Sequence, residues 1–441
     1  MSGQSRLERL LSHVTPVKGG EGAVVALLFT NIFTLLFAYY LIKPVREALI
    51  LTEANAEVRS YALAAQALVL MILVPAYTSA FRRVLPHYQL VPWITGLLAA
   101  NLLVFIILGK SGYEIGIAYF VWIGIFNVLI VAQFWAFAAD LFNVEAGERL
   151  FVLIMAGASI GSWAGSMASG WAFEWLDSYE IMLAAMLLMF ATIPLSFMAR
   201  SKVPRPSRAP RQHEHPEAVK GVWAGYRLVL ADPYMRLIAL FMIMLNCVNS
   251  TGEYLQAGIV RDHAAAAVAA AGGGDPATLI GEFYGQYYAW TNVLSLVIQL
   301  LLVARIFRRI GVDGAMLVLP VIAMVGYAGI AIVPAFTLVR IVKLAENSVN
   351  YSLQNTARHA LFLPCSNEDK YAGKTAIDTF FWRAGDLLQA GLVWAGHEWL
   401  AASPAQFAAL NFVMACVWCG VALRLGGFHR RAIASGPATA H

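Results

Sequence analysis

Charge is scarce in this chain: Asp, Glu, Lys and Arg make up 13% of its 441 residues, against about a quarter in soluble globular domains. A soluble fold needs more charge on its surface and a disordered chain needs more still, so both classes are excluded. Cysteine is equally sparse. Cys247, Cys365, Cys416 and Cys419 are the only four, and their apolar settings exclude a disulfide framework. Cys416 and Cys419, spaced as CxxC in an apolar run with no second ligand pair, read as helix packing rather than a metal site. No Ser/His/Asp or metal-ligand constellation is present, and the nine histidines lie mostly in loops and tails. Neither an enzyme nor a cofactor or metal is therefore expected. The net charge of +5 comes from basic loops, which suits contact with anionic lipid headgroups and not a nucleic-acid partner. No cleavable signal peptide is expected either: the first 22 residues are polar and basic (Arg6, Arg9, Lys18), and the apolar run after them is span-length.

Apolar residues are what the chain has in abundance, at 60% with a mean hydropathy of +0.66. Windows of about 20 residues, the length of a membrane-crossing helix, fall at 23–43, 60–80, 90–109, 115–139, 151–174, 181–199, 236–258, 282–304, 314–334, 336–362, 376–396 and 404–424. Twelve spans are expected. Between the sixth and seventh lies SKVPRPSRAPRQHEHPEAVKG, a Pro- and Arg-rich linker that no bilayer takes up, followed by a short amphipathic stretch from Trp223 to Leu230. The expected parts are a tail (1–22), a six-helix bundle (23–199), the linker (200–235), a second six-helix bundle (236–425) and a C-terminal tail (426–441). Alternate loops carry the arginines and lysines: Arg82 and Arg83, Arg149, the linker, Arg305 to Arg309, Lys370 and Lys374. The positive-inside rule puts both termini in the cytoplasm. Six plus six helices with a basic cytoplasmic linker is the layout of an all-α, pseudo-symmetric major facilitator fold, in which two bundles rock about a midplane site.

The polar residues within the spans concentrate the chemistry. In the tenth span Arg340, Lys343, Asn347, Asn350, Gln354 and Arg358 recur at intervals of three and four, within a wedge of roughly 80° on a helix. A charge at the bilayer centre costs about 2.5–3.5 kcal/mol even on the lenient scale, so the stripe must face water or protein. The seventh span places Asn246, Asn249, Ser250, Glu253 and Gln256 on one face. Glu253 either pairs with a cation, for which the tenth helix is a source, or takes up a proton. Asp140 closes the fourth span, as a gate or as an ordinary helix-end carboxylate. In the eleventh, Asp378, Arg383 and Asp386 sit in apolar surroundings, and Arg383 with Asp386 is spaced to pair internally. Lys43, Arg46 and Glu47 end the first span, where snorkelling to headgroups and attraction of an anion are both open. Gly157, Gly161 and Gly165 in the fifth span read as close helix packing or as a gliding face. Phe134, Trp135, Tyr254 and Tyr287 are aromatic candidates for stacking on a base. The excess of basic groups over Asp140, Glu253, Asp378 and Asp386 suits a multiply charged anion, since Arg grips phosphate bidentately and Lys adds a point charge.

Three stretches carry a resemblance to a known family. YYLIKPVREALIL (Tyr39 to Leu51), FWAFAADLFNVEAGERLF (Phe134 to Phe151) and NYSLQNTARHALFLPCSNEDKYAGKTAID (Asn350 to Asp378) resemble the ATP/ADP translocases of plastids and intracellular bacteria. The resemblance implies that Arg46, Asp140, Glu253 and a lysine of the Lys370–Lys374 segment matter for transport, and that ATP or ADP binds. The chain departs from the family pattern at Arg46 and Asn350, where the family carries lysines, and at Arg358-His359, where it carries a Lys-Glu pair, which marks a divergent member. The expected function is secondary active transport of a nucleotide or similar phosphorylated anion across a bacterial inner membrane by a monomer, through exchange or proton coupling. Lys43, Arg46, Arg340, Lys343, Asn347, Asn350, Arg358 and Lys374 would hold the solute, and Glu47, Asp140, Glu253, Asp378, Arg383 and Asp386 would gate or couple. A lipid translocase of the same fold and a non-transporting membrane sensor are the alternatives.

Overall fold

A computed structural model describes residues 5–84, 87–204, 222–365 and 373–434. Lys370, most of the Pro/Arg linker and the end of the C-terminal tail lie outside the described residues. So do the side chains of Arg82, Arg83 and Trp223. Everything described is helical or connecting. The helices are α1 (Arg6–Leu11), α2 (Glu21–Glu53), α3 (Ala56–Val84), α4 (His87–Lys110), α5 (Gly116–Leu141), α6 (Val144–Ala172), α7 (Ser178–Lys202) and α8 (Val222–Ala231). They continue with α9 (Pro233–Ala271), α10 (Pro276–Val297), α11 (Val303–Ile332), α12 (Phe336–Val349), α13 (Asn355–Ala360), α14 (Lys374–Ala376), α15 (Trp382–Leu400) and α16 (Pro404–Ala434). Three π-helical segments, Ile298–Leu302, Asn350–Gln354 and Ile377–Phe381, interrupt the second part of the chain.

Among the described residues nine helices are long and apolar enough to cross a membrane. One of the nine runs from Pro276 to Ile332 and turns at Gly311, whose φ of 70° breaks the helix. The runs 336–360 and 374–400 are helical but too polar for that measure. The protein is a multi-pass membrane protein. Its helix ends follow local chemistry. Asn143 caps α6 through Ala146 N–H, Asp177 forms a capping box with Glu180, and Asp232 caps α9 with Pro233 in the first turn. Gly272 ends α9 in the left-handed region (φ 73°), which glycine enters without penalty.

Two compact units divide the chain. One comprises Met1–Glu53, Leu73–Glu214 and Gly274–Ala289; the other comprises Ala54–Ile72, His215–Gly273 and Trp290–His441. Each thus includes a half-helix from the far side of the linker in sequence: the first part of α10 in the first unit, the first part of α3 in the second.

In the first unit α6 lies against α2 with almost no side chain between. A Cβ on Gly157 would stand 2.8 Å from Phe29 O, and one on Gly161 or Gly165 would overlap Phe33 O or Phe37 O. Ser169 Oγ donates to Leu41 O at 2.9 Å along the same seam, and Asn31 ties α2 to α7 through Thr192 O and Ser196 Oγ. Lipid offers no hydrophobic drive between helices, so such small-residue contact and buried hydrogen bonds carry the association. The packing reading of these glycines matches the geometry.

The N-terminal segment is strapped on by one carboxylate. Glu8 accepts hydrogen bonds from the amides of Ser5 (2.7 Å), Gly20 (2.6 Å) and Gly22 (3.3 Å). Arg149 joins Glu21 at 3.0 Å and also reaches Pro16 O. The Ser5 amide first, then those of Gly20 and Gly22, hold Glu8 below the usual glutamate range against the opposing effect of burial.

Two predictions arise here. Gly161→Leu should lower the unfolding temperature of the detergent-purified protein, since overpacking costs about 1–3 kcal/mol or more. Gly420→Ala, on α16 with nothing within 4 Å of its Cβ position, should be neutral or mildly stabilising; equal effects at both sites would contradict the seam. For Glu8, a depressed pKa means that the strap's contribution is present above the ordinary glutamate pKa and is lost as pH falls through the depressed value. Protease cleavage within residues 5–20 should rise only in that acid range, and Glu8→Gln should make it pH-independent.

Candidate functional site

Apart from Glu8 and Glu21, whose contacts are given above, the buried charge of the first unit lies in the second half of α2. Glu47 is fully buried and accepts from Arg46 Nε at 3.1 Å and from Tyr288 Oη of α10 at 3.3 Å. The Arg46 guanidinium lies 4.4 Å from the centre of the Phe120 ring. The Lys43 ammonium lies 3.8 Å from the Tyr288 ring centre and 5.0 Å from that of Tyr40. Lys43 is therefore turned onto aromatic faces rather than outward. Cations over desolvated rings gain about 2 kcal/mol or more, which helps hold a positive pair at this depth.

The second unit contains a longer chain of buried polar groups. Arg59, from the start of α3, donates to Glu253 of α9 at 3.2 Å, with side chains 2% and 24% exposed. One turn earlier Asn249 Nδ2 approaches Glu253 at 3.5 Å. Asn249 in turn receives Lys343 Nζ of α12 at its side-chain oxygen (2.9 Å) and at its carbonyl (3.1 Å). The same ammonium donates to Glu346 at 2.9 Å, and Glu346 also accepts from Tyr327 Oη of α11 at 2.6 Å. Lys343 is 0% exposed and Glu346 1%. Gly252 makes the room: a Cβ there would collide with Tyr327 Oη and stand 3.0 Å from Lys343 Nζ. Four helices are thus stitched together by one hydrogen-bonded relay. The expected cation for Glu253 came from α3, not from the tenth span.

Nearby on α9, Ser250 Oγ donates to Asp386 at 2.8 Å and Asn246 Nδ2 to Trp382 O at 2.8 Å, where Gly385 lets α15 approach. The internal Arg383–Asp386 ion pair is not formed; Ser250 takes that place. At the start of α3, Glu57 meets His397 Nδ1 at 3.2 Å, Tyr254 Oη meets His397 Nε2 at 2.5 Å, and Gln389 Nε2 donates to Ser60 at 3.0 Å.

A different environment surrounds the end of the stripe. The π segment Asn350–Gln354 changes the turn, so that Arg358 no longer follows the regular α-helical spacing from Lys343. Arg358 lies with its guanidinium 5.1 Å from the Trp382 ring centre and donates from Nη2 to Asn355 at 3.2 Å. Lys374 stands 5.8 Å from the Phe362 ring centre. Both basic groups, together with Asp378, lie within electrostatic reach of His359. Among the described residues, Arg358 Nε, Asp378 Oδ1 and both polar atoms of the Gln354 side chain are buried and lack hydrogen-bond partners, and Gln354 is 1% exposed. Buried donors in this state cost free energy unless something binds them.

The other predicted positions scatter. Asn347 and Asn350 are buried, Arg340 and Arg383 half-buried, and Asp140 exposed at the end of α5. Phe134, Tyr254 and Tyr287 are buried in helix packing, and Trp135 packs on Phe134 and Phe151. No group of three His, Cys, Asp or Glu that could hold a metal occurs among the described residues.

Known structures share this helical arrangement. A peptide transporter of the POT family in complex with sulfate aligns with a TM-score of 0.66 at 12% identity, covering 98% of this chain and 100% of that one. A bacterial homologue of the iron transporter ferroportin in an inward-facing state gives 0.62 at 13%, covering 96% and 100%. The nucleoside transporter NupG gives 0.61 at 10%, covering 93% and 99%. The fold is the major facilitator fold.

No protein-family model matches the chain. Among curated proteins, "ADP,ATP carrier protein 1" of Chlamydia pneumoniae is 23% identical over 348 residues, 68% of this chain and 64% of that protein. The protein of the same name from Chlamydia trachomatis serovar D is 24% identical over 348 residues, 68% and 62%. The resemblance read from the three motifs is thus found again across two thirds of the chain, which spans under two thirds of these relatives' length. Within the major facilitator fold, sequence reasoning missed Glu346, Tyr327, Tyr288 and His397. Glu346 had a signal, its i,i+3 spacing from Lys343; the others are tertiary partners without one.

The relay makes its own prediction. Lys343→Met should leave Glu346 as an uncompensated buried charge and cost about 3–5 kcal/mol. Lys343→Met with Glu346→Gln should unfold at a higher temperature than Lys343→Met alone. If the double variant is the less stable of the two, the pair does not act as a unit.

Proposed function

We propose that this protein is a secondary transporter that moves a nucleotide, or a similarly phosphorylated organic anion, by alternating access. The observation that carries the reading is the cluster of Arg358, Lys374 and His359 around Trp382 and Phe362, with Arg358 Nε and the Gln354 amide buried and unpartnered among the described residues. Phosphate oxygens would take both donors, and an indole face beside a guanidinium suits a planar base. The similarity to ADP,ATP carriers supports the same substrate class. Lys343, whose ammonium already reaches three acceptors, acts as a scaffold of the site rather than as a solute ligand. Glu253, partly exposed and held by Arg59, would couple or gate. Arg46 and Lys43, with the carboxylate of Glu47, form a second charged cluster, in the first unit. Twelve spans, cytoplasmic termini and a bacterial inner membrane complete the reading, supported by the distribution of basic loops.

Proteoliposomes test it. Vesicles loaded with ADP should take up labelled ATP or ADP faster than empty ones or than empty ones with a proton gradient; the reverse order would indicate proton coupling. Arg358→Ala should raise the apparent KM by on the order of 10- to 100-fold, the worth of a charge-assisted hydrogen bond. Absence of uptake and of binding for every phosphorylated compound tried would overturn the proposal.

A further inference from the structure

One basic side chain of the second unit belongs neither to the relay nor to the Arg358 cluster. Arg383 lies on α15, inside the span expected at 376–396, about 10 Å along the axis from residue 376 at 1.5 Å per residue. It is half-buried. Among the described residues it forms no hydrogen bond and no ion pair, and the charge that acts on it, at longer range, is that of Asp386. Other basic groups are held by a carboxylate: Arg46 by Glu47, Arg59 by Glu253 and Lys343 by Glu346. A charge within a membrane span is costly unless protein or water meets it. The guanidinium of Arg383 therefore keeps its N–H donors, five in a planar fork, for a partner from outside the chain.

Spacing alone would let Asp386 neutralise Arg383 along the helix. Close packing prevents it. A Cβ on Gly385 would stand 2.7 Å from Asn246 Cβ and 2.8 Å from Ile243 O, so α15 lies directly on α9. That approach brings Ser250 Oγ to Asp386 at 2.8 Å and Asn246 to the same carboxylate. Asn246 Nδ2 also fixes Trp382 O at 2.8 Å. Asp386, 5% exposed, is thus drawn onto α9 and supplied with donors there. The π segment Ile377–Phe381 precedes Arg383 and takes it off the α-helical register of Lys374. Arg383 is left one residue beyond Trp382, whose ring centre lies 5.1 Å from the Arg358 guanidinium.

We propose, resting on the reading of a phosphorylated anionic solute, that Arg383 is a further ligand for its phosphate, farther into the membrane than Lys374 and Arg358. Ser250 and Asn246 are positioning residues that keep Arg383 available by holding Asp386. The fork of Arg383 meets two phosphate oxygens at once, where Lys374 offers a point charge. A carboxylate free to pair with Arg383 in the empty protein would have to be displaced by the solute, at a loss of affinity. Arg358 and Lys374 receive the anion at the end of the span, and Arg383 takes it up beyond Trp382.

Binding of labelled ADP to the full-length protein in detergent, with thermal unfolding of the same samples, tests the role of Arg383. Arg383→Gln should weaken ADP binding on the order of 10- to 100-fold, the worth of a charge-assisted hydrogen bond. It should leave the unfolding temperature of the ligand-free protein unchanged or higher. Ser250→Ala should weaken ADP binding as well, and Ser250→Ala with Asp386→Asn should restore it. Where Arg383→Gln fails to fold, Arg383→Lys, which keeps the charge and loses the fork, decides: weaker ADP binding supports the role and full affinity overturns it. Unchanged affinity in Arg383→Gln beside weakened binding in Arg358→Ala would overturn the role of Arg383 alone. So would a loss of ligand-free stability that Asp386→Asn repairs, which would make Arg383 the counter-ion of Asp386. Inorganic phosphate that protects as well as ADP would assign Arg383 to a free anion and overturn it too. Wild-type protein that binds no phosphorylated compound would overturn the functional reading, and this role with it.

Discussion

Every ionised side chain buried among apolar helices must be held against a partner, because a lone charge there costs several kcal/mol. The second unit is organised by that requirement. Lys343 sits at 0% exposure only because Asn249, Glu346 and, beyond them, Tyr327, Glu253 and Arg59 form one continuous relay. Removing any member strands the next. The relay fixes α3, α9, α11 and α12 with respect to one another within their unit, and it leaves the solute to be held elsewhere. In the first unit the same requirement is met differently, by aromatic rings under Lys43 and Arg46 and by Tyr288 on Glu47.

Close packing and irregular turns then decide where polar side chains point. Gly252 admits the relay, Gly385 brings α15 to α9, and the glycines of α6 press it on α2. The π segments at Asn350–Gln354 and Ile377–Phe381 flank the Arg358–Lys374 cluster on both sides. Such segments recur at functional sites because they shift side chains off the α-helical register. Here one of them coincides with the buried, unpartnered Gln354. The Lys343 ammonium reaches three acceptors while Arg358 Nε and the Gln354 amide lack hydrogen-bond partners among the described residues, and the proposed reading assigns the solute to the latter.

Much of the fold was legible from sequence for plain physical reasons. Apolar runs of span length announce helices, and the Pro/Arg linker stands out against them. The motifs after Tyr39, Phe134 and Asn350 pointed to nucleotide carriers, and the similarity to the chlamydial proteins agrees. The site was less legible. The tenth-span stripe was visible, yet its regular spacing implied one continuous wall, whereas the π turn divides it into a buried scaffold around Lys343 and a basic cluster around Arg358. Spacing reports neighbours along one helix only. That Arg59 would meet Glu253, or that Ser250 would displace Arg383 at Asp386, depends on helices distant in sequence, and no local pattern encodes it.

The central claim is that the solute's anionic groups are held by the Arg358–Lys374 cluster and not by the Lys343 relay. Photo-crosslinking with an azido-adenine nucleotide, followed by mapping of the labelled peptides, tests it most directly. The account predicts label, displaceable by excess unmodified nucleotide, on peptides from residues 354–362 and 374–382. Displaceable label confined to 336–349, with none on those two peptides, would contradict it.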